Sequence, residues 1–175
     1  LFLLGILGLG RIGRRVARAA AGLGMTVVYH DLREIDERHR FGARPVDAEM
    51  LCRVSDVITI HVDGRRRNRG LVDAKFLAQC RHDVVIVNTS RGFVVDDHAL
   101  AAFLAEHPAA SALIDVHEPE PIAEGAPLLE QPNAELTPHL ASRTTAGLAA
   151  MSAVVDDVLA VLDGHAPRWP APEPQ

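Results

Sequence analysis

Three polar side chains in the second half of the chain have types that suit proton transfer and carboxylate binding. They are Arg91, Glu120 and His139, and each follows an apolar run that predicts a buried strand. An ordinary histidine has a pKa of about 6.5, so it can accept and donate protons near neutral pH. A carboxylate can hold such a ring, and a guanidinium presents a planar set of donors that matches a substrate carboxylate. Taken singly, each residue also has a plainer interpretation as a solvated or helix-entry residue.

A glycine pattern near the start predicts a turn that binds a diphosphate. The apolar run from Leu1 to Leu7 continues as Gly8-Leu9-Gly10-Arg11-Ile12-Gly13, with the spacing G-x-G-x-x-G. The first glycine allows the turn, the second lets the backbone approach the phosphates, and the third lets helix and strand pack closely. The N–H groups of the helix that begins around Arg11 and Ile12 supply the attraction. By themselves, such glycines are equally typical of an ordinary turn between a strand and a helix.

An acidic residue follows the second predicted strand at the distance that the glycine pattern requires. Asp31 lies about 20 residues beyond the glycines, where a carboxylate accepts hydrogen bonds from an adenosine ribose. Its charge repels a 2′-phosphate, which favours NAD over NADP, and Arg33 nearby would weaken that preference. The alternative interpretation of Asp31 is a helix cap after a strand.

Strands alternate with helices along the chain. The strands are predicted at residues 1–7, 25–30, 57–61, 84–88, 112–116 and 135–137. This alternation predicts an α/β fold of the Rossmann type, a doubly wound parallel sheet with helices on both faces. In such sheets ligands bind at the carboxyl ends of the strands. That rule predicts that the glycine turn, Asp31 and several later residues lie at the same end of the sheet. The later residues are His61, Thr89, Ser90, Arg91, Asp115, Glu120 and His139.

Four less regular segments carry further predictions. Residues 41–46 allow only a short strand, because Pro45 cannot donate to a sheet ladder. The loop 63–70 contains four arginines and is predicted to be solvated, the alternative being a place near cofactor phosphates. A single long helix is predicted over residues 142–162. The last segment, 166–175, contains four prolines and is expected to be a departing linker.

Composition excludes several classes of function. The 175 residues fit one domain, and the net charge of −5 argues against nucleic acid or an anionic membrane as a partner. Cys52 and Cys80 form no C-x-x-C motif and are expected to be apolar fillers in a reduced, cytoplasmic setting. The apolar start lacks a basic region, so a signal peptide is rejected. No apolar stretch is expected to approach the roughly 20 residues that span a bilayer, and no metal site is predicted.

Four ordered blocks of the chain resemble the D-isomer-specific 2-hydroxyacid dehydrogenases. The resemblance extends from residue 1 to about 165 and implies an NAD-dependent oxidoreductase that interconverts a D-2-hydroxy acid and its 2-keto acid by hydride transfer. The blocks are Gly8 to Gly13 with Asp31, Asn88-Thr89-Ser90-Arg91-Gly92-Phe93-Val94-Val95-Asp96, Leu113-Ile114-Asp115-Val116 with Glu120-Pro121, and Thr137-Pro138-His139.

The resemblance also implies roles for particular residues. His139 would be the base, Glu120 would hold its ring and favour the charged form, and Arg91 would bind the substrate carboxylate. Asp115 would contact the nicotinamide carboxamide. Glu118 and Glu120 are both candidates for the carboxylate, and alignment on the Glu-Pro pair selects Glu120. Further cofactor contacts are implied at Gly8, Gly10, Arg11, Ile12, Gly13, Asp31, His61, Thr89, Ser90, Arg91 and His139.

The chain departs from the family pattern in its loops and its extent. Asp63 stands where the family has proline, and Asn68 stands where it has threonine. Residues 1–165 are expected to be the NAD-binding domain, and residues 166–175 to lead toward a substrate domain that is absent, as in a fragment. The full-length form is expected to be a cytoplasmic homodimer.

Three other assignments compete with the enzyme. The first is an NAD-binding module without turnover, either resembling the corepressors of the C-terminal-binding-protein type or an inactive truncated product. The second, a methyltransferase that uses S-adenosylmethionine, explains only the glycine turn and the acid. The formate dehydrogenases of the same family fit less well, because they carry glutamine where Glu120 stands.

Overall fold

A seven-stranded sheet forms the centre of the computed structural model, which describes residues 2–170. The strands lie in the order β3-β2-β1-β4-β5-β6-β7, and every neighbouring pair is parallel. They are β1 (Leu3–Leu7), β2 (Thr26–His30), β3 (Arg44–Pro45), β4 (Val57–Ile60), β5 (Val85–Asn88), β6 (Ser111–Ile114) and β7 (Ala134–Leu136). The predicted strands are confirmed, including the very short strand at Pro45.

The direction of winding reverses beside β1. The chain moves outward from β1 through β2 to β3 and then returns to place β4 against the other side of β1. Loops that leave β1 and β4 therefore diverge and open a crevice at the carboxyl end of the sheet. This is the doubly wound Rossmann topology that the alternation of strands and helices predicts.

Six helices accompany the sheet in the described part of the chain. They are α1 (Arg11–Gly22), α2 (Ala48–Val54), α3 (Ala74–Leu77), α4 (Asp97–Glu106), α5 (Thr145–Ser152) and α6 (Val154–Leu162). Three of them begin at aspartates: the carboxylates of Asp47, Asp73 and Asp96 each accept the backbone N–H three residues later, at 2.7, 2.8 and 3.0 Å. Each cap satisfies an N–H that has no partner inside the helix.

Each face of the sheet is covered by its own apolar cluster. Leu4 and Ile6 of β1 pack on one face with Ala17 and Ala20 of α1. Leu7, which points to the opposite side, joins residues of α2, α3 and α4. The cysteines behave as predicted: Cys52 and Cys80 are free, buried and part of the second cluster. A hydrogen bond with Cys52 and burial raise the pKa of the Cys80 thiol, which keeps it protonated.

The predicted long helix at the end of the chain is wrong in one respect. It is divided at Ala153, whose φ of −64° is α-helical but whose ψ of −11° is not, so that α5 and α6 are separate. Ser152, Val154 and Val155 surround this point, and serine and β-branched residues are poor helix formers. Both helices belong to a second unit, Leu140–Gln175, whereas the sheet lies in the first unit, Leu1–His139.

The start of the proline-rich tail is hydrogen-bonded to α6, the helix that precedes it. The backbone N–H groups of Arg168 and Trp169 donate to the Asp157 carboxylate of α6 at 3.0 and 2.9 Å. The linker role of residues 166–175 stays a prediction. The prediction for residues 171–175 lies outside the described residues.

The expectation that no apolar stretch approaches the length of a membrane span does not hold at the end of the chain. The stretch Thr145–Leu162 has 18 residues, a mean hydropathy of 1.7 and no buried share, so it meets the length and composition of a membrane span. These two properties alone are a weak argument for a span. A continuous helix of this length would measure about 27 Å, slightly less than the thickness of a bilayer core. The charges of Asp156 and Asp157 would be costly inside a bilayer.

Candidate active site

Two of the three glycines in the turn after β1 occupy positions where no other residue fits. Gly8 has a φ of +94°, and a Cβ on it would lie about 3 Å from the backbone of His61 and Val62. A Cβ on Gly13 would lie 2.3 Å from the carbonyl oxygen of Gly8. The turn and the close approach of α1 to β1 therefore follow the predicted roles of these glycines.

The third glycine leaves open the space that a diphosphate would need. No atom lies within 4 Å of the position of a Cβ on Gly10. Gly10 is also the N-cap of α1, where no side chain caps the helix and no acidic residue occupies the first turn. Arg11 and Ile12, the next two residues, are exposed. The positive end of α1 thus faces an uncovered space, and these features fit a bound diphosphate.

Asp31 lies against the glycine turn, as its spacing predicts. One carboxylate oxygen accepts the backbone N–H of Leu9 at 2.8 Å, and the other accepts that of Arg33 at 2.9 Å. These bonds fix the carboxylate beside the turn. Each oxygen has a second acceptor site, so the group can also accept hydrogen bonds from a ribose.

A buried amide shapes the loop after β5 that carries Arg91. The Asn88 side chain is fully buried, and its oxygen accepts the N–H and the hydroxyl of Ser90 at 3.0 and 2.8 Å. Its amide nitrogen donates to the Arg91 carbonyl at 3.1 Å. Thr89 and Arg91 remain exposed, and Arg91 Nη1 donates to the Ser90 carbonyl at 2.6 Å. Asn88 therefore fixes the backbone from which the guanidinium extends.

The same loop packs directly on the segment that follows β6. A Cβ on Gly92 would lie 2.1 Å from the carbonyl carbon of His117, so this contact requires glycine. Asp115, at the start of that segment, is buried and accepts the hydroxyl of Thr137 at 2.5 Å. The N–H of His139 donates to the Asp115 carbonyl at 2.9 Å. Backbone packing thus brings three predicted segments together at one end of the sheet.

His61 occupies the crevice between β1 and β4. Its Nε2 lies 3.0 Å from the hydroxyl of Thr59. Burial lowers the pKa of His61, because the charged ring would lose its hydration there. The ring is therefore neutral at physiological pH.

Glu120 and His139 form the hydrogen-bonded pair that the resemblance implies. His139 Nδ1 lies 3.1 Å from Glu120 Oε2, and Glu120 Oε1 accepts the N–H of His117 at 3.1 Å. His139 has a φ of +54°, a left-handed conformation that non-glycine residues seldom adopt and that often occurs at functional sites. The ring is held by its Nδ1, which leaves Nε2 for proton exchange.

The competing carboxylate has a different partner. Glu118 receives two hydrogen bonds from Arg69, at 2.7 and 2.8 Å. The Arg69 guanidinium also lies 5.0 Å from the ring of Phe93. Of the two candidates, the carboxylate that contacts His139 is therefore Glu120.

The arginine-rich loop is organised by the two residues that depart from the family pattern. Asn68 is buried and donates to both the carbonyl and the carboxylate of Asp63 at 2.9 Å. Arg65 pairs with Asp63 at 3.2 Å, while Arg69 pairs with Glu118. Arg66, Arg67 and Arg69 are exposed, which agrees with the prediction of a solvated loop. A cavity of about 470 Å³ beside it is lined by Arg69, Phe93 and Glu118 but by none of the three predicted catalytic residues.

The contact between Glu120 and His139 predicts how the stability of the fold depends on pH. The hydrogen bond from His139 and the backbone N–H of His117 lower the pKa of Glu120. A carboxyl with a lower pKa in the folded state stabilises the fold above its unfolded pKa, and that stabilisation is lost as pH falls through the folded value. We expect His139→Gln to raise the pKa of Glu120 toward the ordinary 4.5 and to make unfolding less sensitive to acid over that range.

This change can be followed by ¹³C NMR titration of the Glu120 carboxyl, with urea unfolding measured across the same pH values. Glu118→Gln is the matched control, because it removes a carboxylate that pairs with Arg69 and should leave the Glu120 titration unchanged. An unaltered Glu120 titration in His139→Gln would show that the two side chains are not coupled.

Sequence reasoning missed two residues of this arrangement. Thr137 was noted only as part of a motif, yet its hydroxyl binds Asp115. His117 received no role, although its N–H binds Glu120 and its ring is buried. Neither contact has a signal in the sequence, because each joins segments that meet only in the folded chain.

Comparison with known proteins agrees with this geometry. A family model described as D-isomer specific 2-hydroxyacid dehydrogenase, NAD binding domain, matches residues 3–141. Glyoxylate reductase from Korarchaeum cryptofilum is 38% identical over 166 residues, covering 94% of this chain and 50% of that protein. Glyoxylate/hydroxypyruvate reductase B from Pectobacterium atrosepticum is 37% identical over 165 residues, covering 93% of this chain and 52% of that protein.

Solved structures give the same result. The TT0316 protein from Thermus thermophilus superposes with a TM-score of 0.88 at 34% identity, covering 98% of this chain and 54% of that one. The chain spans about half the length of the curated relatives it matches. NAD is the cofactor of the matched domain. The fold, the open glycine turn and the matched family together show that this chain belongs to the NAD-binding domains of the D-isomer specific 2-hydroxyacid dehydrogenases.

Proposed function

We propose that this chain supplies the cofactor-binding and catalytic half of an NAD-dependent oxidoreductase that interconverts a D-2-hydroxy acid and its 2-keto acid. The observation that carries the proposal is the 3.1 Å contact between Glu120 and His139. It lies at the carboxyl end of the sheet, where the Arg91 loop packs on the segment that leads to Glu120. A base, its partner and a carboxylate-binding cation are the groups that this reaction requires.

The side chains divide the work as follows. NAD, when bound, supplies the hydride acceptor or donor. His139 accepts the hydroxyl proton at Nε2 during oxidation and returns a proton to the keto oxygen during reduction. Glu120 stabilises the positive ring and fixes its orientation through Nδ1. Arg91 binds the substrate carboxylate with its planar donors.

The cofactor contacts that we propose follow from the same end of the sheet. The glycine turn and the start of α1 would hold the diphosphate, and Asp31 would accept hydrogen bonds from the adenosine ribose. Asp115 would contact the nicotinamide carboxamide. The proposed contacts are Gly8, Gly10, Arg11, Ile12, Gly13, Asp31, His61, Thr89, Ser90, Arg91, Asp115 and His139.

The proposal also covers the domains, the substrate, the oligomeric state and the cellular location of the full-length protein. Residues 1–165 would form the NAD-binding domain, and residues 166–175 would lead toward a substrate domain outside this chain. The substrate would be a small acid of the kind named in relatives, such as glyoxylate or hydroxypyruvate. The full-length protein would be a cytoplasmic homodimer without a nucleic-acid or membrane partner, consistent with its net charge of −5.

Turnover tests the proposal directly. The 175-residue chain is mixed with NADH and with glyoxylate, hydroxypyruvate or pyruvate, and loss of nicotinamide absorbance is followed. Consumption of NADH that depends on the acid supports the enzyme. NADH binding without consumption would instead support the alternative function, an NAD-binding module that lacks turnover.

Asp31 makes a prediction about cofactor choice. The parent chain should bind NADH more tightly than NADPH, because a carboxylate fixed beside the ribose site repels a 2′-phosphate. We expect Asp31→Ser to weaken NADH binding by roughly 10-fold, the value of about one charge-assisted hydrogen bond, and to narrow the difference between the cofactors. The measurement is a fluorescence titration with each nucleotide.

Asp36→Ser is the matched control. Asp36 caps a short turn on the same loop through Arg38 and does not contact the glycine turn. Equal affinities of the parent chain for NADH and NADPH would contradict the role given to Asp31.

A further inference from the structure

His117 lies between the two segments that carry Glu120 and His139. Its ring is 8% exposed, and Nε2 lies 3.0 Å from the carbonyl oxygen of Thr137. Its backbone N–H donates to Glu120 Oε1 at 3.1 Å. One residue therefore contacts both segments, and it binds the carboxylate oxygen of Glu120 that His139 does not contact.

The contacts determine the protonation state of the ring. A carbonyl oxygen can only accept, so Nε2 must carry the hydrogen. Nδ1 is buried and has no hydrogen-bond partner among the described residues. Protonation of Nδ1 would leave a buried donor unpaired, which is costly. Nε2 therefore carries a hydrogen and donates it to Thr137.

Other groups surround this ring. Asp97, at the start of α4, lies close enough for an electrostatic interaction with His117, and burial raises the pKa of that carboxyl. From the β5 side, the backbone of Gly92 packs on the carbonyl of His117. Because the residue is enclosed by both elements, its ring has little freedom to leave Thr137.

We propose that His117 is a positioning residue that fastens the Glu120 segment to the Thr137–His139 segment and so keeps the carboxylate within reach of the catalytic ring. The ring joins the two segments through Thr137, and the backbone N–H directs the Glu120 carboxylate. The consequence for catalysis rests on the proposed function, whereas the fastening itself does not.

The first test uses the unaltered chain. ¹⁵N NMR of the histidine rings reports which nitrogen is protonated. We expect the hydrogen of His117 on Nε2 and an unprotonated Nδ1 near neutral pH. A His117 ring with its hydrogen on Nδ1 would overturn the proposal, because it could not donate to Thr137.

The second test compares two substitutions. His117→Phe keeps a ring of similar size but removes the donor, whereas His117→Gln places an amide N–H at about the position of Nε2. We expect the Glu120 carboxyl of His117→Phe to titrate closer to an ordinary glutamate, because His139 is held less firmly beside it. His117→Gln should retain the titration of the parent.

The readouts separate positioning from general stability and from the proposed function. The titration of Glu120 and the affinity for NADH are measured on the 175-residue chain, and neither measurement requires that the chain turn over a substrate. The affinity for NADH should not change, since His117 does not touch the glycine turn. Where turnover is present, His117→Phe should lower it by about 10- to 100-fold. An unchanged Glu120 titration in His117→Phe, or an equal change in His117→Gln, would overturn the proposal.

Discussion

Replacing Gly13 with alanine is expected to lower the free energy of unfolding by about 1–3 kcal/mol, the range for overpacked sites, and to abolish NADH binding. The added Cβ would lie 2.3 Å from the Gly8 carbonyl oxygen, a backbone atom that cannot rotate away as a flexible side chain could. Relief requires that α1 move away from β1, which displaces the N–H groups aimed at the diphosphate. Urea unfolding and a fluorescence titration with NADH measure the two effects.

Two other glycines provide matched controls. Gly22→Ala changes the same helix at a place where no atom lies within 4 Å, so the fold should be unaffected or stabilised by about 0.5–1 kcal/mol. Gly10→Ala also meets open space and should leave stability unchanged, but its methyl would occupy the approach to the phosphates and weaken NADH binding.

A Gly13→Ala variant as stable as the parent would refute the close approach of helix and strand. Full NADH affinity in Gly10→Ala would refute the position given to the diphosphate.

Replacing His139 with glutamine is expected to reduce the rate of 2-keto acid reduction by about 10²- to 10⁴-fold, the usual value of a general acid. Glutamine can still form a neutral hydrogen bond to Glu120, weaker than the charge-assisted bond from an imidazolium, but it cannot deliver a proton near neutral pH. Because the proposed contacts with the diphosphate and the adenosine lie elsewhere, NADH affinity should change far less than turnover. Steady-state kinetics and a parallel binding titration give the two numbers.

Substitutions of Glu118 and Glu120 show whether turnover depends on the contact with His139. Glu120→Gln removes the carboxylate that contacts His139, whereas Glu118→Gln removes one that contacts Arg69. We expect a large loss of turnover only in Glu120→Gln. Similar losses in both variants would mean that the local charge matters and the contact with His139 does not. Unimpaired turnover in His139→Gln would remove this residue from the chemistry.

Most of the fold follows from signals that are local in the sequence. Runs of β-branched and aliphatic residues give the buried strands, and aspartates placed before α2, α3 and α4 give their starts. The glycine turn and Asp31 are fixed by spacing within one β-α-β unit, so their contact through the Leu9 N–H could be anticipated. The break between α5 and α6 could not, because helix propensities differ little and a one-residue distortion costs little free energy.

The site was predictable in its residue types but not in its contacts. Residue types alone offered both Glu118 and Glu120. The resemblance selected Glu120, and the contact that supports this choice, between its carboxylate and His139, forms only after folding. The partner of Glu118 is Arg69, which lies 49 residues away in a loop without family pattern. His117 could be recognised only from its burial and its two hydrogen bonds, since a histidine after a strand has no fixed meaning.

The shortness of the two outer strands has a consequence for association between chains. β3 has two residues, one of them a proline without an N–H, and its Arg44 is exposed and charged. β7 has three residues, carries the exposed Glu135, and is followed closely by Pro138. Neither border offers an approaching strand a continuous ladder of donors and acceptors. The sheet is therefore protected at both ends against growth by edge-to-edge aggregation, a hazard for parallel sheets with long, apolar borders.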